Sequence, residues 1–118
     1  MGTKSKPANL FSLNLRLEIA RRGGITLGPG KVELLALIEE TGSLGKAAKR
    51  MGMSYMKAWS LVQSMKPLVV TSRGGQSGGG AKLTETGRQT LALYRKMQRD
   101  CLRASKGSWQ KLQRLFHG

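Results

Sequence analysis

The sequence has few of the residues on which metal, redox and acid–base chemistry depend. Its 118 residues include one cysteine, Cys101, and one histidine, His117. A single cysteine excludes an intramolecular disulfide and a cysteine-rich zinc site, and a single histidine at the end of the chain leaves no usual general base beside a nucleophile. We therefore expect no catalytic residue, no metal and no cofactor, so the sequence does not predict an enzyme.

Acidic residues and long apolar runs are also scarce. Six Asp and Glu residues stand against 21 Lys and Arg, which gives a formal charge of +15. No apolar run approaches the ~20 residues of a membrane span, and residues 1–7 lack the apolar stretch of a signal peptide. We expect a cytoplasmic protein without membrane contact, and its charge indicates a polyanionic partner such as nucleic acid.

The N-terminal part of the sequence has the pattern of a hairpin. From Phe11 to Ile19 apolar and polar residues alternate, which predicts a half-buried strand. Glycines in residues 21–24 predict a turn, after which Ile25 and Leu27 resume the alternation. The first strand is longer than the second, so we expect its edge to pair with a second copy of the chain or with the later wing, residues 68–83.

Three helices are predicted next. The first runs over Lys31–Thr41, the second is capped by Ser43 and stops at Gly52, and the third is capped by Ser54 and ended by Pro67. A short helix, a tight turn and a longer helix form the pattern of a helix-turn-helix. The residues of the third helix expected in the core are Ala58, Trp59, Val62 and Met65.

A second hairpin is expected behind the third helix. The β-branched run 68–71 predicts a strand, the glycine-rich segment 73–80 a flexible tip, and residues 81–83 a return strand, which together make a winged helix. A disordered linker is the alternative for the glycine-rich segment. Small residues pack in the same way in any three-helix core, so the helix-turn-helix pattern alone does not establish DNA binding.

The last part of the sequence predicts a long helix from Thr84 to Gly107 and a short terminal helix capped by Ser108. One domain of this size rarely needs so long a helix for its own core, so we expect a dimer seam, with packing over the first helix as the alternative. We expect Cys101 to be a small buried residue. The predicted interface residues are Leu91, Tyr94, Gln98 and Cys101.

The expected fold is mainly α with small β-hairpins: a winged helix-turn-helix plus a long C-terminal dimerisation helix. Residues 1–10 are predicted to be a flexible basic N-terminus. Residues 11–83 form the winged helix-turn-helix domain with its N-terminal hairpin. Residues 84–118 form the long helix and the short terminal helix.

The position of residues on the two helices and the wing predicts how DNA is contacted. The second helix of a helix-turn-helix lies in the major groove, where its side chains reach base edges. The residues expected to read bases are Ser54, Tyr55, Met56, Lys57 and Ser60. The residues expected to bind phosphates are Lys46, Lys49, Arg73 and Lys82. Trp59 is assigned to the core, where truncation to alanine would cost about 3 to 5 kcal/mol.

Several short motifs together resemble one known family. They are Leu27-Gly-Pro-Gly-Lys-Val-Glu-Leu-Leu, Thr41-Gly-Ser, Ala47-Ala, Met51-Gly-Met-Ser-Tyr, Ala58-Trp, and the glycine-rich segment that ends at Leu83-Thr. The sequence resembles the N-terminal DNA-binding domain of ModE-type molybdate-responsive transcriptional regulators. The resemblance implies a LysR-like winged helix that forms a homodimer through an N-terminal strand and the long helix and reads a palindromic operator of molybdate-related genes.

The resemblance also bears on where molybdate would bind. In that family molybdate binds to C-terminal β-barrel domains, for which these 118 residues leave no room. We therefore expect no direct molybdate site in this chain.

A basic oligomeric adaptor that binds RNA or an acidic protein partner is the alternative function. Proteins that bind single strands usually stack the bases on aromatic side chains. Aromatic residues are only 5 % of this sequence, and Trp59, Trp109 and Phe116 all fall on apolar helix faces. Double-stranded DNA is therefore the expected partner.

Overall fold

The computed structural model describes residues 11–72 and 80–117. These residues form four α-helices and two antiparallel hairpins. The elements are β1 (Ile19–Ala20), β2 (Thr26–Leu27), α1 (Pro29–Thr41), α2 (Leu44–Met51), α3 (Tyr55–Gln63), a 3-10 helix (Lys66–Leu68), β3 (Val69–Thr71), β4 (Ala81–Leu83) and α4 (Glu85–His117). The predicted fold class, mainly α with small hairpins and a long C-terminal helix, is confirmed.

The N-terminal hairpin is present but is much shorter than the alternating sequence predicts. Ile19 pairs with Leu27, and the turn is closed by a 2.8 Å hydrogen bond from the Gly24 N–H to the Arg21 carbonyl. Residues 11–18, which we call the N-terminal arm, belong to no strand. The strand predicted from Phe11 is therefore wrong over most of its length.

The N-terminal arm contacts α4 instead of another strand. The Tyr94 hydroxyl donates a 2.6 Å hydrogen bond to the Leu17 carbonyl. At the other end of the arm, the ring of Phe11 lies 5.9 Å from the ring of Phe116, centroid to centroid. Parts of the arm for which the alternation predicted strand pairing therefore contact a helix instead.

Helix α1 is the centre of the core. Pro29 occupies its first turn, and Gly42 ends it in the left-handed conformation, with φ of 68°. Leu34, Leu35 and Ile38 are fully buried, and the helix contacts α2, β2, β4 and α4. One helix therefore supports both the α2–α3 pair and the second hairpin.

The α2–turn–α3 unit ends where its capping residues predict. Ser43 and Ser54 each accept, through the side-chain oxygen, a 3.1 Å hydrogen bond from a backbone N–H in the first turn of the following helix. Gly52 has a φ of 69°, and the Met53 N–H donates to the Ala48 carbonyl at 3.0 Å. This is the glycine-terminated helix end that allows a sharp reversal, so the helix-turn-helix prediction is confirmed.

The second hairpin is anchored to the helix-turn-helix unit. β3 and β4 pair with Val69 opposite Leu83, and the predicted return strand is confirmed. Gly80 forms a β-bridge with Ser43, at the turn between α1 and α2. The predicted tip at 73–80 lies, except for Gly80, outside the described residues. The base of the wing is thus held beside the start of α2.

Helix α4 is continuous from Glu85 to His117. The helix end predicted at Gly107 and the new cap at Ser108 are therefore wrong, because a glycine lowers helix stability by about 1 kcal/mol without breaking the hydrogen-bond ladder. Thr84 caps the helix: its Oγ1 accepts the Gly87 N–H at 2.9 Å and donates to a carbonyl of the 3-10 helix at 2.8 Å.

The predicted dimer residues of α4 do not share one environment. Leu91 and Tyr94 are buried within the chain itself, so they offer no surface to a second copy. Gln98 is half-buried and Cys101 is exposed. The expectation that Cys101 is buried is wrong within this chain, where its side chain is exposed. No helix in the described part of the chain combines the length and apolarity needed to cross a membrane.

Candidate nucleic-acid interface

The region that holds α2, α3 and the wing contains no acidic residue. All six carboxylates of the sequence lie outside residues 43–84, at Glu18, Glu33, Glu39, Glu40, Glu85 and Asp100. Seven cationic residues lie inside it, at Lys46, Lys49, Arg50, Lys57, Lys66, Arg73 and Lys82. We call residues 43–84 the acid-free region. None of its positive charge is opposed by a carboxylate within the region, which favours contact with a polyanion.

The outward side of α3 carries the residues predicted to read bases. Ala58 and Val62 are buried against the core, so the opposite side of this helix faces solvent. Met56 is 70 % exposed, the highest value in the helix among its large apolar side chains. The five predicted residues, Ser54, Tyr55, Met56, Lys57 and Ser60, are all exposed.

The phosphate-binding residues predicted on α2 and the wing are accessible where the structure describes them. Lys46 and Lys49 are three residues apart on α2, so their side chains share one side of that helix. Both are exposed, as is Lys82 on β4. Arg73 lies outside the described residues. Because α2 packs on α3, the two lysines of α2 belong to the same rigid unit as the outward side of α3.

Trp59 is not a core residue, and its predicted burial is wrong. Its side chain is 44 % exposed, whereas Ala58, Val62 and Met65 are no more than 1 % exposed and fill the space under α3. Successive helix residues are about 100° apart, so the residue after Ala58 points well away from the core centre. Truncation of Trp59 leaves no sealed cavity, and the predicted loss of 3 to 5 kcal/mol does not apply.

The exposure of Trp59 could have been predicted from the sequence. The spacing of Ala58, Val62 and Met65 is already a complete apolar stripe for a helix of this length. A bulky residue that falls beside such a stripe is a candidate for the surface, and Trp59 is such a residue.

Two further cations belong to the same region and were not predicted as contacts. Arg50, in the last turn of α2, forms an ion pair with Glu40 of α1 and is still about half exposed. Lys66, in the 3-10 helix, is exposed. The signal that finds both is the absence of acidic residues between positions 43 and 84 rather than any motif.

Helix α4 carries both positive and negative side chains that pair with one another. On α4 the Glu85 carboxylate accepts a 2.8 Å hydrogen bond from Arg88, and this bond lowers the pKa of Glu85. Asp100 accepts hydrogen bonds from Lys96 at 2.6 Å and Arg103 at 3.0 Å, and the first of these does most to lower its pKa. Part of the charge on α4 is therefore neutralised by carboxylates of the same helix, whereas the acid-free region contains none and, among its described residues, only Arg50 pairs with a carboxylate of α1.

Several known proteins have sequences related to that of this chain. No protein-family model matches the sequence. The chain is 42 % identical to the molybdenum-pterin-binding protein MopB of Rhodobacter capsulatus over 81 residues, which are 64 % of this chain and 30 % of that protein. It is 34 % identical to the molybdenum transport protein ModE of Azotobacter vinelandii over 118 residues, 86 % of this chain and 44 % of that protein.

A third relative is described as a DNA-binding transcriptional dual regulator, ModE of Escherichia coli strain K12. It is 38 % identical over 71 residues, 56 % of this chain and 27 % of that protein. The chain thus spans less than half the length of each of these three relatives. Over the segments that it shares with them, the chain is a ModE-type protein.

Proposed function

We propose that this chain is a sequence-specific double-stranded DNA-binding transcriptional regulator of molybdate-related genes. The observation that carries the proposal is the combination, in residues 43–84, of a capped helix-turn-helix, an outward α3 and seven cations without a carboxylate. The link to molybdate rests on the names of the relatives, several of which are called transcriptional regulator ModE. Cytoplasmic action and the absence of a cofactor or enzymatic step belong to the same proposal.

In this mechanism α3 enters the major groove and its exposed residues touch base edges. The Lys57 ammonium reaches a guanine edge, and the Met56 side chain packs on a thymine methyl group. Lys46, Lys49, Arg73 and Lys82 bind phosphates on either side and fix the register of the helix. Each lysine or arginine that neutralises a phosphate releases about one counterion, so binding weakens steeply as salt concentration rises.

We propose further that the chain acts as a homodimer on a palindromic operator, through a side of α4 that the core does not use. Uncharged residues recur there at intervals of three and four: Leu93, Met97, Cys101, Ala104, Ser108, Leu112 and Leu115. All seven are exposed. The spacing repeats every 11 residues, a period that lets two long helices keep contact along one side with a right-handed supercoil. These residues replace Leu91 and Tyr94 as the proposed contacts. A two-fold dimer then places the two α3 helices in successive major grooves about 34 Å apart.

Competition binding tests the partner. A labelled genomic duplex selected by the chain is displaced with unlabelled duplex DNA, single-stranded DNA and structured RNA at one fixed salt concentration. We expect the selected duplex to compete best and random duplex to compete less well. Preference for RNA, or no binding to any nucleic acid, contradicts the proposal and favours the adaptor function.

Two lysine substitutions separate the kinds of DNA contact. Lys49→Ala should weaken binding to all duplexes and reduce the salt slope by about one. Lys57→Ala should cost about 1 to 3 kcal/mol on the selected duplex and little on random DNA. Lys106→Ala, which removes a cation from α4 outside the acid-free region, is the matched control. An unchanged salt slope for Lys49→Ala, or an equal loss on both duplexes for Lys57→Ala, refutes the corresponding assignment.

Sedimentation equilibrium tests the seam. Met97→Glu and Leu112→Glu place a charge on the proposed contact surface and should shift the protein to monomer. Lys106→Glu, on the opposite side of α4, introduces the same side chain and should leave the dimer intact. A wild-type chain that is monomeric at high concentration, or variants that remain dimeric, rule this seam out.

A further inference from the structure

The indole of Trp59 is exposed and is not part of the buried core. Trp59 lies on α3, one turn after Tyr55 and three residues after Met56, so the side chains of Met56 and Trp59 are neighbours on the helix surface. Its side chain is 44 % exposed. The indole N–H has no acceptor among the residues that the structure describes. Together with the exposed side chains of Tyr55 and Met56 the indole forms a cluster of large apolar groups on the surface of α3, and such a cluster is typical of a contact surface.

The rest of α3 is poor in groups that read bases by hydrogen bonding. Its nine residues contain no arginine and no asparagine, and Lys57 is their only cation. Arginine or lysine makes bidentate hydrogen bonds with guanine, and asparagine or glutamine makes them with adenine. Of these the helix has Lys57, which is exposed, and Gln63, which is half-buried in the last turn. Much of the remaining exposed surface that α3 offers to a duplex is therefore apolar.

The major groove offers one apolar group for such contact, the C5-methyl group of thymine. We propose that Trp59, together with Met56, contacts DNA directly and is a specificity-determining residue that recognises thymine methyl groups by packing against them. This inference rests on the proposed function and adds a residue and a type of contact to it. Trp59 lies inside the acid-free region, on a different helix from the proposed dimer seam, so DNA rather than a second copy is the occupant.

Fluorescence places Trp59 relative to the duplex. The chain has two tryptophans, so Trp109→Phe leaves Trp59 as the only indole. We expect acrylamide quenching of this indole to fall at least about two-fold when the selected duplex is added, because DNA then covers it. Binding is followed independently by anisotropy of labelled DNA. If anisotropy shows binding and quenching does not change, Trp59 is outside the interface and the inference is wrong.

Affinity measurements test whether the contact reads methyl groups. Trp59→Ala should weaken binding to the selected duplex by about 10- to 100-fold, the range of losing one base contact. Its salt slope should not change, because no phosphate contact is lost. Trp59→Phe should recover part of the affinity, and Trp109→Phe is the control for loss of an indole elsewhere. The midpoint of urea unfolding should change little, since Trp59 is not part of the core.

A duplex with deoxyuridine in place of thymine lacks only the methyl groups. It should bind wild type more weakly, and the penalty should be smaller for Trp59→Ala, because the partner of the methyl group is already gone. Equal penalties for the two proteins overturn the inference while leaving DNA binding intact. If the wild-type protein binds no duplex, the proposed function is wrong instead. If acrylamide quenching of the Trp59 indole falls when the protein concentration rises without DNA, Trp59 contacts another protein chain and the inference is wrong.

Discussion

The two halves of α4 share a helical spacing of apolar residues but have different surroundings. In the first half, Leu91 and Tyr94 are buried against the chain's own core. In the second half, Leu112 and Leu115 are 41 % and 74 % exposed. Apolar residues recur at three- and four-residue intervals in both halves. Helical periodicity therefore predicts that a helix has an apolar side, and it does not predict what covers that side.

Two glycines show the same contrast at atomic scale. A Cβ added at Gly87, in the first half, would lie 2.1 Å from the Leu68 carbonyl oxygen. A Cβ added at Gly107, in the second half, would meet no described atom within 4 Å. Gly87 is required for the close approach of α4 to the 3-10 helix. Gly107 lowers the stability of the helix, and no described part of the single chain packs closely against it.

Gly87→Ala should therefore have the largest effect on stability. We expect a loss of about 3 kcal/mol in the free energy of unfolding, because overpacking against backbone exceeds the ~1 kcal/mol by which alanine favours a helix. The Leu68 carbonyl cannot move aside freely, since it also accepts the Thr84 N–H at 2.9 Å. Urea denaturation measures the change. A stabilised variant would show that α4 does not pack this closely on the body of the protein.

Tyr94→Phe should have an intermediate effect, at the border between the two halves. It removes the hydroxyl that donates to the Leu17 carbonyl, and we expect a loss of about 1 kcal/mol. Amide hydrogen exchange in residues 11–17 should become faster, because this bond ties the N-terminal arm to α4. Exchange in α1 is the internal control. Unchanged exchange in the arm would mean that its apolar contacts, such as Phe11 on Phe116, hold it without Tyr94.

What the sequence predicts well is set by local chemistry. Ser43 and Ser54 cap helices, and Gly52 permits the left-handed turn, through groups within a few residues of each other. Their positions could be read directly, and the helix-turn-helix prediction followed. The first strand of the wing was predicted from a local run of β-branched residues, and both predicted strands were confirmed.

What the sequence predicts poorly depends on partners distant along the chain. Alternation from Phe11 to Ile19 identifies an extended segment, but only the folded chain shows that Tyr94, 77 residues beyond Leu17, meets it. Trp59 was placed in the core because its neighbours are apolar, and only the folded chain shows that its side chain is 44 % exposed. For the candidate site, exposure is now known for the predicted residues of α2, α3 and β4, while their contacts with DNA remain predictions.

Gly107→Ala should have the smallest effect and the opposite sign. Because nothing described lies within 4 Å of the added methyl group, only the backbone preference remains, and we expect a gain of about 0.8 to 1 kcal/mol. The gain should appear as higher helicity in the second half of α4 and slower amide exchange near residues 105–110. Gly87→Ala, which should lower stability, is the matched control in the same helix. Gly107→Ala could instead destabilise the dimer while it leaves a monomeric Met97→Glu variant unaffected. In that case a second copy of the chain would contact Gly107, outside the proposed seam. That result would mean that the second half of α4 is also packed, by another chain rather than by its own.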